Sequence, residues 1–179
     1  MGRDGWTTRW VAVWAMILAV CLLAVGSHAR AQSKAREARI DRLEVLVSGF
    51  YVADKTGEMP AAGTTTGHIE TLANIKFLDR PPSVTAQIGT AMGVRFKVIG
   101  TPKKGKAQLR AEWHIPEPGA RNPNGNIYRL SVSDLPVQVG ETTMRGYALE
   151  QQWEVVKGRW TFQVWQGERK LLEESFDIE

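Results

Sequence analysis

Cysteine is all but missing from this chain of 179 residues. The single Cys21 sits inside the longest apolar run, Trp10 to Gly26, so the chain beyond that run has no thiol. Disulfides, thiolate metal ligands and a cysteine nucleophile are thereby excluded for everything that follows. Histidine is nearly as scarce, and past the N-terminal segment only His68 and His114 remain. Neither stands at a spacing that resembles a zinc site or a carboxylate-histidine pair. Serines are few, and none lies in the Gly-x-Ser-x-Gly context that lifts a nucleophile onto a sharp turn. Glu173 and Glu174 are adjacent, and neighbours in a strand point to opposite faces, so they cannot share a substrate. A concentrated run of positive charge is missing too. Of 23 basic and 19 acidic residues, Arg3, Arg9, Arg30 and Asp4 belong to the first 31, which leaves 20 against 18 and a net charge of +2. That balance gives no footprint for nucleic acid. No motif calls for a cofactor or a metal.

What is present begins with an export signal. Arg3 and Arg9 precede the apolar run, and Ala29-Arg30-Ala31 supplies small residues at the two positions a signal peptidase reads. Cleavage after Ala31 is expected, with residues 1–31 as signal peptide and no membrane span left in the product. An uncleaved N-terminal anchor is the alternative, because the run just reaches the length needed to span a bilayer. Lipid attachment at Cys21 is disfavoured by Val20, where a lipoprotein signal needs a small residue. The product is therefore expected to be periplasmic or secreted. Residues 32–39 are charged and small, the composition of a flexible spacer, and residues 40–179 are read as one domain. About 148 residues can bury roughly two-thirds of their surface, enough to fold without cross-links.

Two-residue alternation dominates the rest. Leu43, Val45, Val47 and Tyr51 mark a first strand to about Ala53, and Asp54 to Gly67, rich in Gly, Thr and Pro, reads as a long loop. Ile69, Ala73, Ile75 and Phe77 follow on one face, stopped by Pro81-Pro82, and Val84 to Ile88 reads as a short strand. The rows Met92 to Val98 and Ala107 to Ile115 are joined by GTPKKGK, which suggests a hairpin. Ile115 to Asn126 is irregular; Tyr128, Leu130 and Val132 then share a face, and Tyr147, Leu149, Trp153 and Val155 form a penultimate long strand. The closing hairpin, Gly158 to Ile178, puts Trp160, Phe162 and Val164 on one face, and Glu174 interrupts its second row as an edge or a bulge would. About eight strands and no convincing helix predict an all-β, antiparallel β-sandwich of immunoglobulin-like type, with a small β-barrel as the alternative. Burial of Trp113, Trp153, Trp160 and Phe162 is expected to contribute about 2 to 3 kcal/mol each.

Several stretches together resemble a bacterial domain-of-unknown-function family, number 3859. They are the Gly-Thr-rich early loop, IGTAMGVRFKVIGTP at Ile88 to Pro102, IPEPGARNPNGN, GYALEQQWEVVKGRWTFQVW at Gly146 to Trp165, and the final LLEESFDI. The resemblance covers most of Leu43 to Ile178. It implies an exported domain and supplies no catalytic residues.

Binding surfaces are the better expectation than catalysis. Trp165 falls on the face opposite Trp160, placing a large aromatic near solvent where it can stack on a sugar or anchor a partner. Arg121, Asn122 and Asn124 stand on a loop stiffened by proline, and His114 lies on the polar side of its strand with Arg110 and Glu112. Each has a plainer reading: a covered tryptophan, a structural Asn-Gly turn, a solvated histidine. Lys103, Lys104 and Lys106 on a turn are ordinarily there for solubility. The leading expectation is a non-enzymatic domain of the cell envelope that binds a protein, peptide or polysaccharide. An envelope hydrolase or metal-assisted enzyme using His68 or His114 is the alternative, and a structural accessory domain held by an uncleaved leader is the third.

Overall fold

The computed structural model describes residues 37–79 and 83–179. The signal peptide, Cys21, the Ala31 cleavage site, most of the spacer and Pro81-Pro82 lie outside the described residues. Eight long strands carry the fold: β1 (Arg39–Pro60), β2 (His68–Phe77), β3 (Ala91–Thr101), β4 (Lys106–His114), β7 (Leu130–Gln138), β8 (Thr142–Ala148), β9 (Gly158–Gln166) and β10 (Arg169–Ile178). Two short ones, β5 (Ala120–Arg121) and β6 (Ile127–Tyr128), pair only with each other.

Two open antiparallel sheets, ordered β2-β1-β3-β8 and β10-β9-β4-β7, pack face to face. Reading β1, β3 and β8 as strands A, B and E, and β10, β9, β4 and β7 as G, F, C and C′, reproduces the immunoglobulin-like arrangement. The barrel alternative is thereby set aside, and β2 is an addition inserted after the first strand. One apolar cluster fills the space between the sheets. Met92, Val94, Phe96 and Val98 come from one side, and Leu109, Ala111, Trp113, Trp160, Phe162 and Val164 from the other. Trp113 stacks on Phe162 at 4.7 Å and on Phe176 at 5.5 Å between ring centroids. Trp153 is the exception among the four aromatics, only partly buried against Tyr128.

Several expectations change once the strands find their neighbours. β3 and β4 are not a paired hairpin, because GTPKKGK carries the chain from one sheet to the other. Alternation reports which face of a strand is apolar; it does not report which strand lies alongside, and two inward rows can meet face to face as well as edge to edge. Asp54 to Gly67 is no long loop: β1 continues to Pro60, and only Ala61 to Gly67 turns. Val84 contributes one isolated bridge to Ile178 in place of a strand over Val84 to Ile88. The inward row of β7 is Ser131, Leu135 and Val137, whereas Leu130 is exposed, so its face is the reverse of the one expected. Pro136 is tolerated there because β7 is an edge strand. The penultimate strand ends at Ala148, and Trp153 sits in a short 3-10 turn, Gln152–Glu154. The expected spacer ends earlier than Arg39. Ala38 is buried, Glu37 Oε1 accepts from the Gln108 amide at 2.6 Å, and the Gln166 side chain clamps Ala38 and Ile40. In the closing hairpin β10 is an edge strand, as the interrupted row suggests, but Glu174 pairs in regular register with Phe162 and the bulge lies earlier, between Lys170 and Leu172.

Candidate functional site

The site follows from the length of β1. Its first half pairs with β3 as far as Tyr51↔Ala91; its second half pairs only with β2, down to Pro60↔His68. The outer half of β1 and β2 thus form an arm that leaves sheet one and folds back across β8. Glycine makes the crossing possible: a Cβ on Gly146 of β8 would lie 2.3 Å from the Tyr51 hydroxyl oxygen. The tip of the arm reaches the far sheet, where the Val132 amide donates to the Gly63 carbonyl at 2.9 Å. Here too no side chain fits, since a Cβ on Gly63 would lie 2.6 Å from the Val132 carbonyl oxygen. The arm therefore bridges the open side of the sandwich between β8 and β7.

Beneath it is a cavity of about 300 Å³, walled by the arm, by β8 and by Trp113, Ser131 and Ser133 of the second sheet. Polar groups stand at three depths in or behind a lining that is otherwise mainly apolar. Deepest lies Glu154, fully buried, whose Oε1 accepts from the Tyr147 hydroxyl at 2.6 Å and the Thr65 hydroxyl at 3.0 Å. Its Oε2 accepts from the amides of Glu150 and Gln151 at 3.1 and 3.0 Å. Four donors compensate the desolvated carboxylate, and Thr65 ties the arm to that centre. Burial, reinforced by the Glu154 charge, holds the Tyr147 phenol well above the ordinary range.

At the mouth, arm and body meet through charge. Lys55 Nζ stands 2.9 Å from Glu70, 3.0 Å from Glu150 and 3.3 Å from Glu58. His68 Nε2 stands 2.9 Å from the second Glu150 oxygen and 3.6 Å from Glu58. Lys55, Glu58, His68 and Glu70 belong to the arm, Glu150 to the segment leaving β8. The Glu70 carboxyl titrates above its usual range because it is partly buried and shares a hydrogen bond with Glu150. Burial pushes Glu150 the same way, but hydrogen bonds from Glu70 and Lys55 and the charges around it outweigh that, and its carboxyl titrates low.

Behind the lining two donors stand unanswered. The Trp113 indole N–H and the Arg145 Nε–H are buried with no acceptor among the described residues. Arg145 keeps one guanidinium bond, from Nη2 to the Asp134 carbonyl at 2.7 Å, and burial lowers its pKa. Among the described residues no group of three or more His, Cys, Asp or Glu side chains is placed to hold a metal ion.

The residues singled out by sequence fall elsewhere, with one exception. His68 is at the mouth, whereas His114 is on the other sheet, so the two histidines do not meet. Trp165 lies on the outer face of β9, between the cations of Arg110 and Lys170 at 5.6 and 5.8 Å. Gln163 Oε1 joins it to His114, accepting from the Trp165 indole at 3.1 Å and lying 3.2 Å from His114 Nε2. Arg121, Asn122 and Asn124 sit in the β5–β6 turn, whose hydrogen bonds close on themselves: Asn122 Oδ1 accepts from Asn126, and Arg121 donates to Gly125. The cavity itself went unread, because its members are scattered over the Gly-Thr-rich stretch, β7, β8 and the 3-10 turn. The one local signal was Glu150 and Glu154 bracketing Gln151 to Trp153 in an otherwise apolar stretch.

The family model described as Domain of unknown function (DUF3859) matches residues 35–178. No curated protein matches the chain. Among solved structures, an immunoglobulin-like protein from Pseudomonas aeruginosa is similar at 24% identity, over 82% of this chain and 99% of that one, with a TM-score of 0.49. A DNA glycosylase from Pseudomonas fluorescens, bound to DNA containing an abasic site analog, is similar at 14% identity over 55% of this chain and 28% of that one, TM-score 0.35. A β-glucosidase from Listeria innocua in complex with glucose is similar at 14% identity over 62% and 17%, TM-score 0.31. All three scores are below 0.5, and nothing those proteins bind passes to this chain.

Proposed function

We propose that this chain, which belongs to the DUF3859 family, is an exported binding domain of the cell envelope that holds its ligand beneath the β1–β2 arm. One observation carries the reading. The roughly 300 Å³ cavity between arm and sandwich has a mainly apolar lining, into which Thr64, His68, Glu70, Ser131, Ser133 and Glu150 bring polar side chains. Concave pockets of this size, mostly apolar with a few placed polar groups, are what small ligands or the end of a larger chain require. Binding without chemistry is favoured because His68 and His114 stand on different sheets. The ligand or partner is an envelope protein, peptide or polysaccharide, and export follows the reading of residues 1–31 as a cleaved leader.

Two measurements test this. Intact mass of the exported protein should begin at Gln32; a mass that includes Met1 to Ala31 would convert the leader into an anchor. Purified protein incubated with an envelope extract, washed and heat-released should yield a bound compound that a cavity-filling Ser133→Trp variant, still folded by circular dichroism, does not. Identical yields from both would remove the cavity as the binding site. A second surface is supported by the Arg110–Trp165–Lys170 stack and the Gln163 bridge to His114, which hold a half-buried aromatic on the outer face of β9. Trp165→Ala would weaken retention on cell-wall material if that face, rather than the cavity, makes the contact.

A further inference from the structure

The side of the sandwich opposite the arm is open along two strand edges. On β1, the stretch Arg42 to Phe50 pairs with β3 alone, because β2 joins only from Tyr51 onward. On β10, the register with β9 is regular from Leu172 to Ile178, and no described strand lies on its other side. The seam between these edges is clasped at its two ends. Gln166 and Arg169 hold Ile40 at one, and the Leu78 amide donates to the Phe50 carbonyl at 2.8 Å at the other. Between the clasps runs a groove lined by Val45 to Phe50 and by Glu174 to Asp177, where the Phe50 and Phe176 rings meet edge-on at 6.1 Å. Its β1 wall is apolar and uncovered, with Val45 40% and Leu46 51% exposed.

Glu174 gives the groove its charge. It stands opposite Phe162, in one row with Leu172, Phe176 and Ile178, so its side chain is on the face that turns toward the other sheet. The acids beside it are answered: Glu173 accepts from Gln163 and Lys170, and Asp177 accepts two bonds from Arg159. No hydrogen bond or ion pair reaches the Glu174 carboxylate among the described residues. Val84 shows what the edge accepts. It makes an isolated parallel bridge to Ile178, its amide donating to the Asp177 carbonyl at 3.4 Å and its carbonyl accepting from the Glu179 amide at 2.9 Å. By two-residue alternation the N–H and C=O of Glu173 and Ser175 point the same way, and nothing among the described residues meets them. A strand continuing that row would fill those positions, lay its inward side chains on Val45 and Leu46, and set one side chain directly across from Glu174. A cation at that point gains an ion pair, whereas an acid is repelled. We propose that the β10 edge binds an extended segment of a partner protein in which a lysine or arginine stands between two apolar residues at two-residue spacing. This site lies apart from the cavity and does not depend on it.

Backbone amide NMR shifts of the isotope-labelled exported protein test this, with the blocked peptide acetyl-Ser-Val-Thr-Lys-Thr-Val-Ser-amide as probe at up to millimolar concentration. The Glu173 and Ser175 amides should shift to saturation and exchange more slowly with solvent. Replacing the peptide's lysine by norleucine should weaken binding about threefold, and by glutamate about tenfold or more. Methylating the peptide's backbone nitrogens that face β10 should abolish binding, since the ladder bonds are then lost. Glu174→Gln should level the preference for lysine over glutamate, and Glu174→Lys should invert it. Unmoved Glu173 and Ser175 amides at millimolar peptide, or equal affinity for the lysine and glutamate peptides, would overturn the proposal. So would the same amides shifting with protein concentration alone, together with a dimer in sedimentation, because the edge would then belong to a second copy of this chain. The comparison among peptides uses the unaltered protein, so it decides the matter even where Glu174→Lys fails to fold. Neither result bears on the Ser133→Trp test of the cavity.

Discussion

Glu154 is the residue on which the site turns, because its carboxylate answers donors from three separate pieces of chain. Tyr147 comes from β8, Thr65 from the arm tip, and the amides of Glu150 and Gln151 from the turn. Removing it leaves two hydroxyls and two amides to find other partners in a place that water hardly reaches. Glu154→Ala should destabilise the protein by about 3 kcal/mol or more in urea unfolding. Glu154→Gln, which keeps the shape but replaces one acceptor oxygen with a donor, should fall between. A glutamate in a strand context would ordinarily be read as outward-facing. Its burial became intelligible only when the 3-10 turn showed that Gln152 to Glu154 is not strand at all. Trp160 and Phe162, by contrast, were legible from alternation alone, since β9 is a regular central strand whose inward face has no choice of environment.

Among the elements, the β1–β2 arm is the least legible from sequence and the one that makes the site. The outer half of β1, with Lys55, Gly57 and Met59, shows no apolar row; the apolar residues the arm brings to the cavity, Ile69, Leu72 and Ile75, come mainly from β2. The core cluster includes no residue between Val52 and Ser83 among those described. Excising residues 55–72 and joining Asp54 to Ala73, which are paired across the arm, with Asn-Gly should leave a sandwich that unfolds cooperatively but retains no ligand. Loss of the cooperative transition would show that the arm belongs to the folding unit. The closing contacts of the arm should respond to acid in both directions. Glu150 titrates below its ordinary 4.5, so it adds stability above that value and loses it as pH falls through its depressed pKa. Glu70 titrates above the same 4.5, so its contribution is complete below that value and lost as pH rises through its elevated pKa. Arm opening, followed by hydrogen exchange at residues 61–67 and corrected for intrinsic rates, should be least just above 4.5 and rise on either side. Glu70→Gln should flatten the alkaline limb alone.

For the molecule as a whole, the immunoglobulin-like plan was recoverable because most long strands keep one apolar face, and eight such faces fit two layers. The pairing order was not, since a turn such as GTPKKGK serves a hairpin and a sheet crossing equally well. The end of the chain completes the second sheet. Phe176 and Ile178 are buried there, and the Ala86 amide donates to the Glu179 carbonyl at 2.6 Å. Truncation after Glu174 should lower stability by about 3 to 6 kcal/mol, read as a shifted urea midpoint with a similar slope.

The backbone bond from Val132 to Gly63 has one more implication. β7 is a rim of its sheet, and a bare rim invites a second molecule to dock strand against strand. The tip that roofs the cavity also lies across that rim, so cover for the cavity and cover for the rim are joined in one clasp. Variants selected for faster ligand exchange through a looser tip would, by the same loosening, become sticky at high protein concentration.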